Sequence, residues 1–220
     1  MGFVEHLKSL RISGIRVFGD SIAAGFNASQ PRLAWPALFA AAVDGVPIRN
    51  RAIPGTVLQG AHLADGKARP DNGIGRFEYT PLDARHRDAI LILYGYNDAR
   101  YTAAPDTMNV QNFTRDYAWI LENLIRAGHG DRLAIGSPPY IPDAGFAVGS
   151  AGFTGQTRMG FESYVEAVIV LARRFSLFYA PVYETMEAHG DGTLASVDLI
   201  HPSDAGHRAI FDAFISADRS

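Results

Sequence analysis

The sequence predicts an α/β fold, a five-stranded parallel sheet with helices on both faces. Short apolar runs alternate with longer segments of helical periodicity along the whole chain, the pattern of strand–helix–strand units. One run, Ala89-Ile90-Leu91-Ile92-Leu93-Tyr94, is apolar throughout, as expected of a strand covered on both faces. No internal repeat, low-complexity tract or linker interrupts the 220 residues, a length suited to one domain with a full core.

The elements follow in order. Residues 15–18 form an apolar run ending at Gly19 and predict the first, buried strand. A helix is expected over 35–43, with Pro36 in its first turn where a missing N–H is harmless. Residues 47–53 predict the second strand and 89–94 the third. From 110 to 127, Phe113, Tyr117, Ile120, Leu121 and Leu124 recur at helical spacing until Gly128 stops them. Residues 133–135 are the fourth strand, 157–175 a long helix with Val165, Val168, Ile169 and Ala172 on one face, and 177–182 the fifth strand. Ser203 is placed to cap a last helix whose Ile210, Phe211 and Phe214 face inward.

Composition narrows the functional classes. With 47% hydrophobic and 20% charged residues the chain has an ordinary globular balance. A formal net charge of -3 provides no electrostatic footprint for nucleic acid or an anionic membrane. The absence of cysteine excludes disulfides, a thiol nucleophile and thiolate metal sites. The first residues lack a basic stretch followed by an apolar core, so no signal peptide is read, and no run approaches the ~20 apolar residues of a membrane span. The expectation is a cytoplasmic protein. On that view Asn27-Ala28-Ser29 and Asn112-Phe113-Thr114 are chance matches to a glycosylation pattern.

In open parallel sheets the ligand site lies beyond the carboxyl ends of the strands. Ser21 follows the first strand, Gly55 the second and Asn97 the third, while His201 precedes the last helix. The strand pattern alone therefore gathers these four on one edge. Their chemistry is that of acyl transfer: a hydroxyl nucleophile, an imidazole base with Asp198 three residues before it, and a glycine and an amide that can donate to an oxyanion. Each motif has a plainer use taken alone. Gly-Asp-Ser also makes a helix N-cap, Pro54-Gly55 a turn, Gly95-Tyr96-Asn97-Asp98 an Asx turn, and Asp198 and His201 an ordinary loop. Asp20 and Asp98 are expected to accept backbone N–H groups and fix their loops.

Two glycine-rich stretches fit phosphate or dinucleotide sites poorly. Residues 60–67 have one residue too many between the glycines, and Ala68 stands where Ser or Thr belongs. Asn72-Gly73-Ile74-Gly75 lacks a third glycine. No spaced His/Asp/Glu set points to a metal centre.

The four blocks, Gly19-Asp20-Ser21-Ile22 with Gly25, Asn50-Arg51-Ala52-Ile53-Pro54-Gly55-Thr56, Gly95-Tyr96-Asn97-Asp98, and Asp198-Leu199-Ile200-His201-Pro202, resemble in order those of the SGNH hydrolase superfamily, the GDSL-type esterases and lipases. The resemblance runs from residue 19 to residue 202 and treats 1–220 as one such domain. It implies a flavodoxin-like three-layer α/β/α fold, and a catalytic triad of Ser21, Asp198 and His201. It further implies an oxyanion hole from the N–H groups of Ser21 and Gly55 and the amide of Asn97, with no cofactor. Among seven histidines only His201 combines the aspartate offset with the following proline of that block; His6, His62, His86, His129, His189 and His207 do not, and His207 is expected at the surface or behind the site. Ala23 stands where the nucleophile elbow of α/β-hydrolases needs a glycine.

The segment after the fourth strand should lie on the same edge. Tyr140, Ile141, Phe146 and Phe153 could wall an acyl or alcohol pocket, with Tyr96 and Arg100 flanking the asparagine; a packed loop or a contact in a homo-oligomer is the alternative. Without an evident lid domain, the expected substrate is a small ester with a short acyl group, such as an acetylated sugar or an aryl ester. Thioester or lysophospholipid cleavage, acyl transfer to an alcohol, and a non-catalytic carbohydrate-binding module are the alternatives on this scaffold.

Overall fold

The computed structural model describes residues 2–60, 72–79, 84–190 and 194–219. The rejected phosphate-loop stretch, Gly60 aside, and His62 lie outside the described residues. Along the chain run helix α1 (Phe3–Ser9), strand β1 (Gly14–Gly19), α2 (Ser21–Ala24), α3 (Trp35–Ala42), β2 (Ile48–Asn50), α4 (Gly73–Tyr79), β3 (Asp88–Leu93) and α5 (Tyr96–Arg100). Then follow α6 (Val110–Arg126), β4 (Leu133–Gly136), α7 (Arg158–Phe175), β5 (Phe178–Ala180), α8 (Val182–Glu187), α9 (Asp204–Ile215) and β6 (Asp218–Arg219).

The sheet order is β2-β1-β3-β4-β5-β6. The first five strands are parallel, joined in register through pairs such as Ile15 with Ile48, Phe18 with Ile92 and Ile135 with Tyr179. The sixth is a correction to the expected five: Asp218 and Arg219 pair antiparallel with Tyr179 and Phe178. Both are exposed, so no apolar run marks them in the sequence. The second strand is also shorter than expected, because the Asn50 carboxamide accepts the Ala52 N–H and bends the chain. Backbone pairing to β1 nevertheless continues through Arg51 and Ile53.

Helices cover both faces. On one side α9 packs against α3, α8 and α1, with Trp35 and Phe214 stacked at 4.6 Å between ring centres. On the other, α7 packs against α6 and α5, and Phe113 meets Tyr164 at 5.1 Å. The central strands β1, β3 and β4 are buried along their whole length. The long helices start on side-chain caps: Asn109, Thr157 and Ser203 accept the N–H groups of Asn112, Gly160 and Gly206.

The two ends of the central strands treat buried charge differently. At the amino ends, Arg16 and Asp88 are almost completely buried and form an ion pair at 2.7 Å, and Asp88 also accepts the Ser13 hydroxyl and the Arg85 N–H. At the carboxyl ends, Asp20 caps α2 by accepting the Ile22 N–H at 2.9 Å, and its second oxygen is buried without a hydrogen bond. Asp98 accepts the N–H groups of Leu58 and Gln59. Burial pushes the Asp20 carboxyl up to about 7, against the pull of the Ile22 N–H and with help from nearby Asp98. Burial likewise raises Asp98 to about 6, although the Leu58 and Gln59 N–H groups oppose it.

Two stability predictions follow from these groups. Asp88→Ala strands the Arg16 guanidinium in the core and should destabilise the fold by ~3–5 kcal/mol in denaturant titration; a loss below ~1 kcal/mol would contradict the role given to the pair. The folded chain keeps on Asp20 a proton that the unfolded chain releases near 3.8. Its contribution is therefore complete below pH 3.8 and fades as pH rises to about 7. Asp20→Asn removes that dependence, so the melting temperature of the variant should gain on the parent between pH 4 and pH 8, by the equivalent of up to ~4 kcal/mol. A constant difference across that range would show that Asp20 ionises normally.

Candidate active site

Ser21 opens α2 immediately beyond β1. The approach is tight: a Cβ on Gly19 would sit 2.3 Å from both the Leu93 carbonyl oxygen and the Ala23 side chain. Only glycine lets the chain leave the sheet here and turn at once into α2. Gly55 lies in the loop after β2 with φ 77°, a left-handed conformation that favours glycine, and the space around it is open. Asn97 sits in the first turn of α5, just past β3, and its amide donates one N–H to the Thr56 carbonyl at 2.9 Å.

His201 reaches this edge from the irregular stretch before α9. Its Nε2 lies 3.0 Å from Ser21 Oγ, and its Nδ1 lies 2.7 Å from Asp198 Oδ2. A ring nitrogen facing a carboxylate carries the proton, which leaves Nε2 to accept from the serine hydroxyl. Asp198 Oδ1 accepts the N–H groups of Ile200 and His201 and the Ser196 hydroxyl, an arrangement made possible by the left-handed Leu199 at φ 59°. Partial burial pushes this carboxyl up, but the His201 N–H and ring, the Ile200 N–H and the Ser196 hydroxyl outweigh it and hold Asp198 well below the usual range.

Ser21, Gly55, Asn97 and His201 line one cleft of about 280 Å³, together with Phe26, Pro54, Arg100, Gly149, Ser150, Phe153 and Ile200. A larger surface groove of about 650 Å³ along α6 contains none of the motif residues. Among the described residues, no group of three or more His, Cys, Asp or Glu is placed to hold a metal ion. Nor is any helix of the described residues long and apolar enough to cross a membrane.

The expected walls of the cleft separate into two groups. Arg100 and Phe153 line it. Ile141 and Phe146 do not: Ile141 is fully buried, and Phe146, within the short helical turn at Asp143–Ala147, packs on Phe161. Tyr140 stands in a separate crevice of about 10 Å³ beside His201 and Pro202, too small for more than a water. Tyr96 is buried, and its hydroxyl donates to the Ile200 carbonyl at 2.7 Å, so it props the histidine segment from below.

Three contributors are invisible in the motifs. Phe26, half exposed, lays its ring 4.6 Å from the His201 ring. Asn27, at φ 66°, donates to Asp198 Oδ2 and to Ser196 Oγ, both at 2.9 Å. Of the two places expected for His207 the structure has the second: it is fully buried behind the site, its Nε2 meets the Phe26 carbonyl at 2.9 Å, and burial pushes its imidazole down. The signal available was the run Gly25-Phe26-Asn27 after the serine helix, a glycine and an asparagine suited to a left-handed turn.

Known structures share this architecture. A lipase/acylhydrolase from Enterococcus faecalis superposes with a TM-score of 0.68 at 18% identity, covering 95% of this chain and 99% of its own. A lipolytic protein of the G-D-S-L family from Veillonella parvula gives 0.63 at 18% identity over 91% and 94%. A mutant of Axe2, an acetyl-xylooligosaccharide esterase from Geobacillus, gives 0.62 at 18% identity over 92% of each chain. No match was found among curated proteins. The sequence matches the model of the GDSL-like lipase/acylhydrolase family over residues 17–209. That match spans most of the chain, which belongs to the GDSL-like lipase/acylhydrolase family of carboxylic ester hydrolases.

Proposed function

We propose that this chain is a serine esterase that cleaves short-chain acyl esters through an acyl-enzyme, with Ser21 as nucleophile, His201 as base and Asp198 as its orienting partner. The observation that carries the proposal is the continuous hydrogen-bond path Asp198–His201–Ser21, with links of 2.7 and 3.0 Å, opening into the cleft. Ser21 Oγ attacks the ester carbonyl while its proton passes to His201 Nε2, and Asp198 stabilises the imidazolium. The carbonyl oxygen becomes an oxyanion, met by the N–H groups of Ser21 and Gly55 and by Asn97. The Asn97 amide spends one N–H on Thr56 and has a second to give. Collapse breaks the bond to the alcohol oxygen, which takes the proton from His201. Water then attacks the acyl-enzyme by the same route and regenerates Ser21.

The cleft, about 280 Å³, is at or below the lower bound of ordinary small-molecule pockets and favours a short acyl group. An acetylated sugar fits this reading, since the Geobacillus neighbour is named for such a substrate. Long-chain thioesters and lysophospholipids share the chemistry but demand more room.

Ser21→Ala should lower kcat for 4-nitrophenyl acetate by at least ~10³-fold and abolish labelling by a serine-directed phosphonate, with the melting temperature retained. Retained turnover would sink the assignment of the nucleophile, and a parent protein that neither turns over nor takes the label would favour a binding module. Asn97→Ala should cost roughly 10²–10³ in kcat with little change in KM, the signature of a donor used mainly in the transition state. An effect confined to KM would remove Asn97 from the oxyanion hole.

A further inference from the structure

The acyl-transfer steps leave one strongly charged group of the cleft unused. Arg100 ends α5, three residues after Asn97, and lines the same cleft as Ser21 and His201 although only 3% exposed. Its Nη2 donates to the carbonyls of Val148 and Phe153. Its Nε is buried without an acceptor, Nη1 makes no hydrogen bond, and no carboxylate among the described residues lies within ion-pair reach of it. The face of the Tyr96 ring, 5.4 Å away, gives the charge partial relief.

Arg16 shows how this fold treats a buried guanidinium when its task is structural, with a carboxylate at 2.7 Å. A guanidinium cannot shed its proton, so Arg100 holds a permanent charge in a poorly solvated place. Such a charge is costly unless an anion meets it. Among the described residues no other Arg or Lys and no Asp or Glu lines the cleft, so Arg100 is the one permanent cation described there. A monoanion matches that better than a dianionic phosphate, and the cleft volume limits it to a small one.

We propose that Arg100 is the subsite for a carboxylate carried by the ester substrate, which makes carboxylate-bearing short esters the preferred substrate class. The proposal rests on the reading of Ser21 as nucleophile and adds the charge of the substrate to it. Two sources of the carboxylate share this chemistry: the acyl group, as in a hemiester of a short dicarboxylic acid, and the alcohol, as in the acetyl ester of a hydroxy acid. A guanidinium used only to tie down the Val148–Phe153 loop would give no preference of either kind.

The test compares matched neutral and anionic esters as ratios of kcat/KM within one protein, so that a general loss of activity cancels. 4-Nitrophenyl butyrate against 4-nitrophenyl hemisuccinate probes the acyl side, and phenyl acetate against 3-acetoxybenzoate the alcohol side. The parent enzyme should favour the anionic member of at least one pair by about tenfold or more, the usual worth of a charged hydrogen bond. The preference should reside in KM and weaken with salt. Arg100→Gln should bring that ratio down to about one, and Arg100→Lys, which keeps the charge, should retain part of it. Should Arg100→Gln fail to fold, competitive inhibition of the parent by glutarate but not by glutaramide supplies the second measurement. Hydrolysis of both members at equal rates, or a preference that survives Arg100→Gln, overturns the carboxylate subsite and leaves the esterase reading standing. Absence of turnover on all four esters, with no phosphonate label on Ser21, overturns both.

Discussion

Asp198 accepts five hydrogen bonds, from the Asn27 amide, the Ser196 hydroxyl, the N–H groups of Ile200 and His201, and the His201 ring. The stretch it organises has little regular structure of its own, a single bridge between Ala195 and Pro202. A carboxylate with so many donors stays ionised far into acid, and its own orientation is fixed. It therefore imposes two things on His201 together: the position of the backbone, through the N–H, and the protonation of the ring, through Nδ1. Without the second, Nε2 would carry the proton and could not accept one from Ser21. Asn27 extends the same anchor to the serine side, because its loop leaves α2, and Ser29, two residues on, is pinned to Asp204 at the start of α9.

The sheet supplies the other half of the geometry. Ser21 and His201 are 180 positions apart and yet meet at 3.0 Å. That separation is bridged by register: Phe18 and Gly19 pair with Ile92 and Leu93, so the loops after β1 and β3 leave the sheet at the same height. The histidine segment is then laid over them by Tyr96, whose hydroxyl takes the Ile200 carbonyl. The tight exit at Gly19 belongs to the same design, since a side chain there would push α2 off the sheet and carry Ser21 with it.

How much of this could be read from the chain depends on which signal each residue carries. The central strands are largely apolar, Arg16 and Asp88 aside, and are legible, as are α6 and α7 with their capping Asn109 and Thr157. Val182 extended an apolar run and read as strand, but Pro181 ends β5 and Val182 begins α8. Nothing in Asp218 and Arg219 distinguishes a two-residue edge strand from a loose end. At the cleft, Ser21, Gly55 and Asn97 follow strand ends, which a periodic pattern locates, and His201, in the irregular stretch before α9, is marked by the aspartate three residues before it. Wall residues sit in irregular loops, where direction depends on packing partners far along the chain; Ile141 and Phe153 carry similar apolar signals and point opposite ways. Asn27 and His207 act by reaching across the fold, and their residue types alone have no sequence spacing to betray them.

Buried charge is distributed unevenly over the sheet, and the asymmetry has a mechanistic consequence. At the amino ends Arg16 and Asp88 neutralise each other. At the carboxyl ends Asp20 and Asp98 are buried close to the serine and the asparagine, with carboxyls raised to about 7 and about 6. An ionised carboxylate one residue from the nucleophile would oppose the negative charge that develops on the proposed oxyanion, and in a poorly solvated site that opposition is strong. Burial reduces it by keeping a proton on Asp20 in acid, up to a pH of about 7. Asp20 thus retains the cap on the Ile22 N–H that fixes α2 while its charge beside the serine is weakened. The fold accepts a loss of stability at the end of the sheet where the chemistry is proposed to occur, and the ion pair at the other end is not part of that exchange.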